Sequence, residues 1–515
     1  MSSFTRSLVL AVAAIGFLFD TYELLMFPVI GTDAVGELVR VNPDGTTAAL
    51  WTEIGFDPGE SKKGVDSPDD HERVRAWAGR MLWIAALCGG VFGLLGGFLV
   101  DRLGRKTVMI GSIIVYSFSP VAAAYSTELW MLILFRCTTF IGVCVEMVAA
   151  VTWLAELFEN KRTRELVIGW TLACASLGGI FVTEVYSFIV AEMKTHPEGA
   201  TWLPVQASAW RYTLLTGLVP GALILLFMPF VPESKVWSEK KKAGTLGRPR
   251  FSELFSPALV RTTLVTAALS ACAYAAAFGA LQLTPLQMAP ALVPEFGKRQ
   301  AEIKGEVERL NKFKASLKDQ TAESQAAGKK QLEKGFAEVK SRGNDLKQDV
   351  KAKRGNIQRW QELGGLTGRI LFAILLIFLP SRLLLRIFLI PGIFLFPLTY
   401  LELIKGEYAV FATAIFFCGL LTVAQMSYMS EFLPKVFPVH LRGTGAAFAT
   451  NVGARMIGTM AATLNTEVLS QMLTTPDTPN PFKVATAAAA IGGTVYFVAF
   501  CLTFLLPAPR EHGAE

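Results

Sequence analysis

Long apolar stretches separated by short charged loops run along this chain. Each stretch is about twenty residues, enough for an α-helix to cross a hydrocarbon core of roughly 30 Å. Such runs lie near residues 7–30, 81–100, 129–154, 166–191, 212–231, 258–292, 385–403, 408–432 and 484–506, and three more begin at Thr107, after Gly365 and after Gly445. The pattern predicts an all-α polytopic membrane protein with twelve transmembrane helices, six in each half.

The polar intervals set orientation. Residues 96–107 read GGFLVDRLGRKT, and Arg102, Arg105 and Lys106 in so short a loop place it on the cytoplasmic side, because positive charge in short loops fixes topology. After an even number of crossings the basic linker 232–257, with Lys235, Lys240, Lys241, Lys242, Arg248 and Arg250, falls on the same side. The expected organisation is therefore an N-terminal six-helix half at 1–231, the linker, a C-terminal half at 258–507 interrupted by an insert at 296–360, and a cytoplasmic tail at 508–515. Both termini then face the cytoplasm, and an inner (cytoplasmic) membrane is the simplest home. An acidic outer loop at 31–75, with Trp51 and Phe56, is long for a connection between neighbouring helices. It either lids the outer vestibule or lies on the surface.

The insert 296–360 is too hydrophilic for lipid yet periodic. Ile303, Val307, Leu310 and Leu317, and then Leu332, Phe336, Val339, Leu346, Val350 and Ile357, repeat at coiled-coil spacings on either side of a polar turn at 319–328. This predicts an extracytoplasmic antiparallel coiled-coil hairpin. A protein partner or self-association through it is one expectation; extensions of two spans packing on each other is the other.

Composition narrows the chemistry. With 515 residues, 52% of them apolar, a soluble fold is excluded, and the net charge of +7 is explained by topology rather than by nucleic acid. The seven cysteines lie in apolar runs without metal-ligand spacing, and the four histidines lie in loops or tails, so neither a metal centre nor an enzyme is expected. No phosphate-cradling Gly-rich loop ending in Lys and Ser or Thr is present, so the expected driving force is a proton gradient, with no cofactor.

Charges inside the spans are costly and mark ion or substrate paths. Asp20 and Glu23, three apart on one helical face, and Arg136 and Glu146 in the fourth span are the candidates for proton coupling, with Arg136 as partner to the acids. The planar fork of Arg136 also suits a carboxylate substrate. Tyr274, Gln282, Gln287, Gln425, Asn451 and Arg455, with Asn465, are polar groups within apolar spans of the second half. They bind substrate near the midplane or glue helices together.

Gly97, Asp101, Arg102, Gly104, Arg105 and Lys106 between spans two and three resemble the signature of the major facilitator superfamily. Arg136 and Gly142 resemble its span-four signature, Glu156 and Arg164 the pattern closing that span, Glu431, Pro434, Arg442, Gly443 and Gly445 the pattern after span ten, and 232–235 the motif after span six. These motifs are similar to those of the sugar-porter and organic-acid:proton symporter branches. The resemblance implies that Gly97, Asp101, Arg102, Gly104, Arg105, Lys106, Glu156, Arg164, Glu431 and Arg442 form a cytoplasmic gate that opens during alternating access. On charge grounds Asp101 would accept from a helix N-terminus, and Arg102 and Arg105 would reach Glu156. Residues 380–386, the second-half counterpart of the loop motif, lack its aspartate and glycine, and the hairpin is foreign to the pattern.

The function expected is a proton-coupled secondary transporter for a small polar solute, an organic acid or a sugar-like compound, with Arg136 and Arg455 favouring an anion. The alternatives are a proton-driven exporter of amphipathic compounds and a transporter-derived receptor or assembly protein that uses the hairpin.

Overall fold

The computed structural model describes residues 3–38, 68–157, 161–196, 208–230, 233, 235–243, 251–317, 322–432, 436–438 and 441–506. The described segments are almost wholly helical. In the first half these are α1 (Ser3–Leu38), α2 (Pro68–Leu103), α3 (Arg105–Ala124), α4 (Leu129–Leu157), α5 (Lys161–Thr195), and the short α6 (Ala209–Leu215) and α7 (Leu218–Phe227). The linker holds α8 (Lys235–Lys242) and a 3-10 turn, Phe251–Phe255.

In the second half α9 (Val260–Ala276) continues through π-helical turns at Ala277–Leu281 and Thr284–Met288, where Gly279 and Pro285 interrupt regular pitch. The hairpin helices α10 (Phe296–Ser316) and α11 (Ala322–Leu375) follow, then α12 (Ser381–Leu401) and α13 (Tyr408–Phe432). The next segment is α14 (Arg442–Phe448), π turns at Ala449–Gly458, α15 (Met460–Thr463), further π turns at Leu464–Leu469 and α16 (Ser470–Met472). α17 (Asn480–Leu502) is the last helix. Among the described residues nine helices are long and apolar enough to cross a membrane.

The two halves pack by one scheme. α1 lies on α5, α2 on α4, and α3 on α4, α6 and α7; correspondingly α9 lies on the 449–458 segment, the lower part of α11 on α13, and α12 on α13 and α17. Between halves, α2 packs on 449–458 and α5 on α11. Outward faces carry exposed Phe118, Phe188, Ile377, Phe378 and Phe394, the apolar cover a bilayer requires.

Two boundaries differ from the sequence expectation. α1 does not stop at residue 30 but runs to Leu38, and α2 begins at Pro68, so the expected loop 31–75 shrinks to 39–67, which lies outside the described residues, as does the tail 508–515. The extra turns persist because their charges have partners: Asp33 pairs with Arg354 at 3.0 Å, and Glu37 accepts from Ser208, Trp210 and Arg211. The insert likewise does not end at 360. Its second arm is continuous with the next span in one 54-residue helix, about 80 Å long at 1.5 Å per residue. The expected turn at 319–328 also shortens, because α11 already begins at Ala322. α10 and α11 run antiparallel, with Arg299 on Asp349 at 2.8 Å, Arg342 on Glu306 at 2.6 Å, and buried Leu317, Leu332, Val339 and Leu346 along the seam.

Candidate functional site

The loop 102–106 and the linker share one end of the bundle. Gly104 adopts φ 100°, ψ 156°, a left-handed turn that lets α3 start at once. The carboxylate of Glu233, from the linker, accepts from the backbone N–H of Arg105 and of Lys106 at 3.1 and 3.2 Å, so Glu233 caps the positive end of α3. That is the acceptor role expected of Asp101, whose side chain lies outside the described part of the structure. Arg105 is buried and donates to the Val100 carbonyl at 3.1 Å, while Arg102 is exposed. The backbone of Gly97, Glu156, Arg164, Glu431 and Arg442 is helical, and the side chains of the last four lie outside the described part.

Midway through the first half, Asp20, Glu23 and Glu146 are all buried, at 2%, 0% and 0% exposure. The carboxyls of Asp20 on α1 and Glu146 on α4 stand within hydrogen-bonding reach of each other, and no N–H donor reaches either. Glu23 lies instead against Gly217 in the bend between α6 and α7, where an added Cβ would overlap its carboxyl oxygen. Arg136 is not the hydrogen-bond partner of the acids. Its guanidinium donates to the Glu23 and Leu24 carbonyls at 2.8 and 2.9 Å and stacks over Phe140 and Phe27, which leaves no fork for a carboxylate. It neutralises Glu23 only from alongside.

The second half meets this cluster through Arg455. Buried in the π-helical 449–458 segment, it donates to Asn451 at 2.7 Å, reaches the sulfur of Met147 on α4, and lies in the field of Asp20. Close approach of α2 makes this contact: Gly90 and Gly93 abut Asn451 and Met456. Gln287 is not a midplane group. It donates to the Arg75 carbonyl at the hairpin end, and Asn465 donates to the Gly279 carbonyl, so both are interhelical bonds. Tyr274 stacks on Phe278, and Gln425 is buried with neither amide atom bonded.

Several residues that bridge the halves were not singled out from the sequence. At the hairpin end Arg80 pairs with Glu467 at 2.6 Å. Arg354, 3% exposed, joins Asp33 and the Val29 carbonyl of α1, Tyr186 of α5 and the Pro285 carbonyl. Arg359 pairs with Glu184 at 2.6 Å. Glu362, buried, lies against Gly179 of α5 and accepts from Gln358. Arg354, Gln358 and Arg359 sit in the charged stretch that reads as solvated insert; only the absence of proline between the stretch and the next apolar run signalled that its root belongs to the bundle, and the Gly364–Gly365 pair argued the other way.

Residues 57–250 match the sugar (and other) transporter family. The chain is 33% identical over 168 residues to the 4-hydroxybenzoate transporter PcaK of Pseudomonas putida, covering 31% of this chain and 33% of that protein. It is 27% identical over 155 residues to the arabinose-proton symporter of Bacillus subtilis, covering 30% and 32%. The matched stretch thus spans about a third of the length of these curated relatives. Over 98% of both chains the structure superposes on the D-xylose-proton symporter with a TM-score of 0.63 at 13% identity. A partially occluded, inward-open form of the xylose transporter XylE from E. coli gives 0.60. The resemblance read from the loop motif therefore holds: the chain is sugar-porter-like, with the major facilitator fold, and the proteins it resembles are transporters, not enzymes.

Proposed function

We propose that this chain is a secondary transporter that carries a small polar solute across a membrane, coupled to protons, by rocking its two halves about the buried centre. The observation that carries this reading is the contact of Asp20 with Glu146, facing Arg455 from the other half. Two carboxyls in contact in a medium of low dielectric cannot both be ionised cheaply, so the pair holds one proton. Losing it raises the pair's charge from one negative to two opposite Arg455 and draws the halves together; regaining it releases them. Proton occupancy is thereby tied to the relative position of the halves.

In this reading the bundle crosses the membrane twelve times: the nine long helices, the pair α6 and α7, the lower part of α11, and the segment from α14 to α16. The linker end faces the cytoplasm with both termini, and the hairpin, a coiled coil, projects outward from an inner membrane. Names of relatives leave the solute between a sugar and an organic acid. With Arg136 committed to carbonyls and Arg455 to Asn451, the anion preference expected from these arginines loses its support.

The test is proton flux in proteoliposomes challenged with sugars, polyols, aromatic acids and amphipathic cations. One solute class should drive proton entry in the wild type. Asp20→Asn should keep solute exchange and lose gradient-driven accumulation. A variant that still accumulates solute against its gradient would remove Asp20 from the mechanism.

A further inference from the structure

We propose that the cleft between the C-terminal end of α5 and the root of the hairpin binds an anionic phospholipid whose headgroup carries hydroxyl donors. The inference needs a membrane around the bundle but neither a solute nor a coupling ion, so it goes beyond the transport reading.

The cleft holds about 330 Å³. Small side chains set its floor: an added Cβ at Gly355 of α11 would come within 2.7 Å of Ser187 Oγ on α5, so the two helices touch there. One turn nearer the hairpin, Ala191 and Ala352 line the gap, and their methyl groups are too short to fill it.

Cations reach the cleft from both halves. Lys194 comes from the last turn of α5, and Lys351 and Arg359 from α11. The acids nearby are already matched. Asp349, in the wall, pairs with Arg299 of the other hairpin arm at 2.8 Å, and Glu184, one turn from Ser187, stands 2.6 and 2.7 Å from Nε and Nη2 of Arg359. Lys351 is 3.8 Å from Asp33, which Arg354 holds more closely at 3.0 Å. Lys194 has no ion-pair partner among the described residues. Two lysines are therefore in surplus, and their complement is an anion. Ammonium groups on flexible stems take a phosphate as point charges, without the fixed geometry a guanidinium demands.

A bare phosphate diester leaves one group in the cleft unanswered. Gln348 lines the wall with a buried Oε1 that accepts no hydrogen bond. Buried acceptors in native proteins find donors, and an ionised diester has no proton to give. Hydroxyl groups on the headgroup supply it.

Position decides where the phosphate comes from. Lys194 lies at the end of the membrane-long segment Cys174–Thr195, the level at which lipid headgroups meet basic side chains. Trp360, 38% exposed beside Arg359, marks the same boundary. Toward the middle of the bundle the two helices expose Phe181 and Phe188 of α5 and Leu363 and Ile370 of α11. An acyl chain descending from the cleft covers such a surface, whereas a soluble phosphate has no use for it.

The experiment uses the purified full chain in detergent, stripped of co-purified lipid and titrated with phosphatidylglycerol, phosphatidylmethanol or phosphatidylcholine, with retained lipid counted by native mass spectrometry. Glycerol 3-phosphate and inorganic phosphate serve as soluble competitors. Phosphatidylglycerol should bind more tightly than either other lipid, and neither competitor should displace it. Lys194→Gln and Lys351→Gln should each weaken it about fivefold, the worth of one basic side chain near an anionic surface. Ala352→Leu, which fills the cleft and keeps every charge, should weaken it at least as much, and Gln348→Leu should erase the preference over phosphatidylmethanol. Lys330→Gln, at the far end of the hairpin, should change nothing. Thermal midpoints without lipid establish that each variant folds; should Lys351→Gln fail to fold, Lys194→Gln tests the same cleft from the other helix at an exposed position. Three results would overturn the proposal: phosphatidylglycerol bound no better than the other two lipids, displacement by a soluble phosphate, or equal losses in Lys330→Gln and the cleft lysine variants with none in Ala352→Leu.

Discussion

Arg354 of the long helix α11 and Asp33 near the end of α1 form an ion pair at 3.0 Å that joins the root of the hairpin to the first helix of the other half. Because the hairpin arm and the following span are one helix, this guanidinium holds α1, α5 and the α9 span with a rigid lever. Rocking the halves apart at the hairpin end must break it, together with Arg80–Glu467 and Arg359–Glu184.

Removing Asp33 leaves the buried guanidinium without its counter-charge. Breaking a fully buried pair costs about 3–5 kcal/mol, and because Asp33 is 24% exposed the expected loss for Asp33→Asn is about 2 kcal/mol. Glu467→Gln, whose pair is 30% and 25% exposed, should cost about 1 kcal/mol or less. Thermal unfolding in detergent ranks the two; the reverse order would mean that Arg354 is held by its carbonyl bonds alone. Spin-label distances across the hairpin end should lengthen in both.

At the linker end, Glu233→Ala removes the cap from α3 and should cost about 1 kcal/mol. Gly104→Ala forces a side chain into a left-handed conformation and toward Glu233, and should cost about 1–3 kcal/mol. Because both act on one junction, the double variant should fall short of the sum of the single losses. Strict additivity in unfolding measurements would show that the two are independent.

Glu146→Gln should resemble Asp20→Asn. Either substitution removes one member of the proton-sharing pair, so solute exchange continues while accumulation falls by about tenfold or more, and the double variant is no worse than either single one. Counterflow and accumulation assays, run side by side, check this. Arg136→Lys should instead lower stability, since a point charge cannot reproduce two carbonyl bonds and two ring contacts.

Shortening the hairpin by joining residue 302 to residue 347 leaves Lys351, Arg354 and Arg359 in place. Unfolding temperature and solute exchange should stay near those of the intact chain, because the bonds to the bundle come from the root. A collapse in either would place a transport role in the distal arms.

What the sequence determined by itself are local quantities. Hydropathy over about twenty residues marks helices long enough to span, the charges of the 102–106 loop and the linker mark one face, and apolar spacing marks the hairpin arms. Asp20 and Glu23 on one helical face, and Glu146 inside an apolar run, were legible as buried charge because the cost of burying them does not depend on what they meet. What they meet was decided by tertiary structure alone. Spacing of three residues says that two acids share a face, not that one finds Glu146 and the other the bend at Gly217. Nor can hydropathy show that the charged root of the insert is buried: Arg354, Gln358 and Glu362 become interior residues only because α1, α5 and the α9 span close around them, and Arg354 takes its partners from segments 69 to 325 residues away.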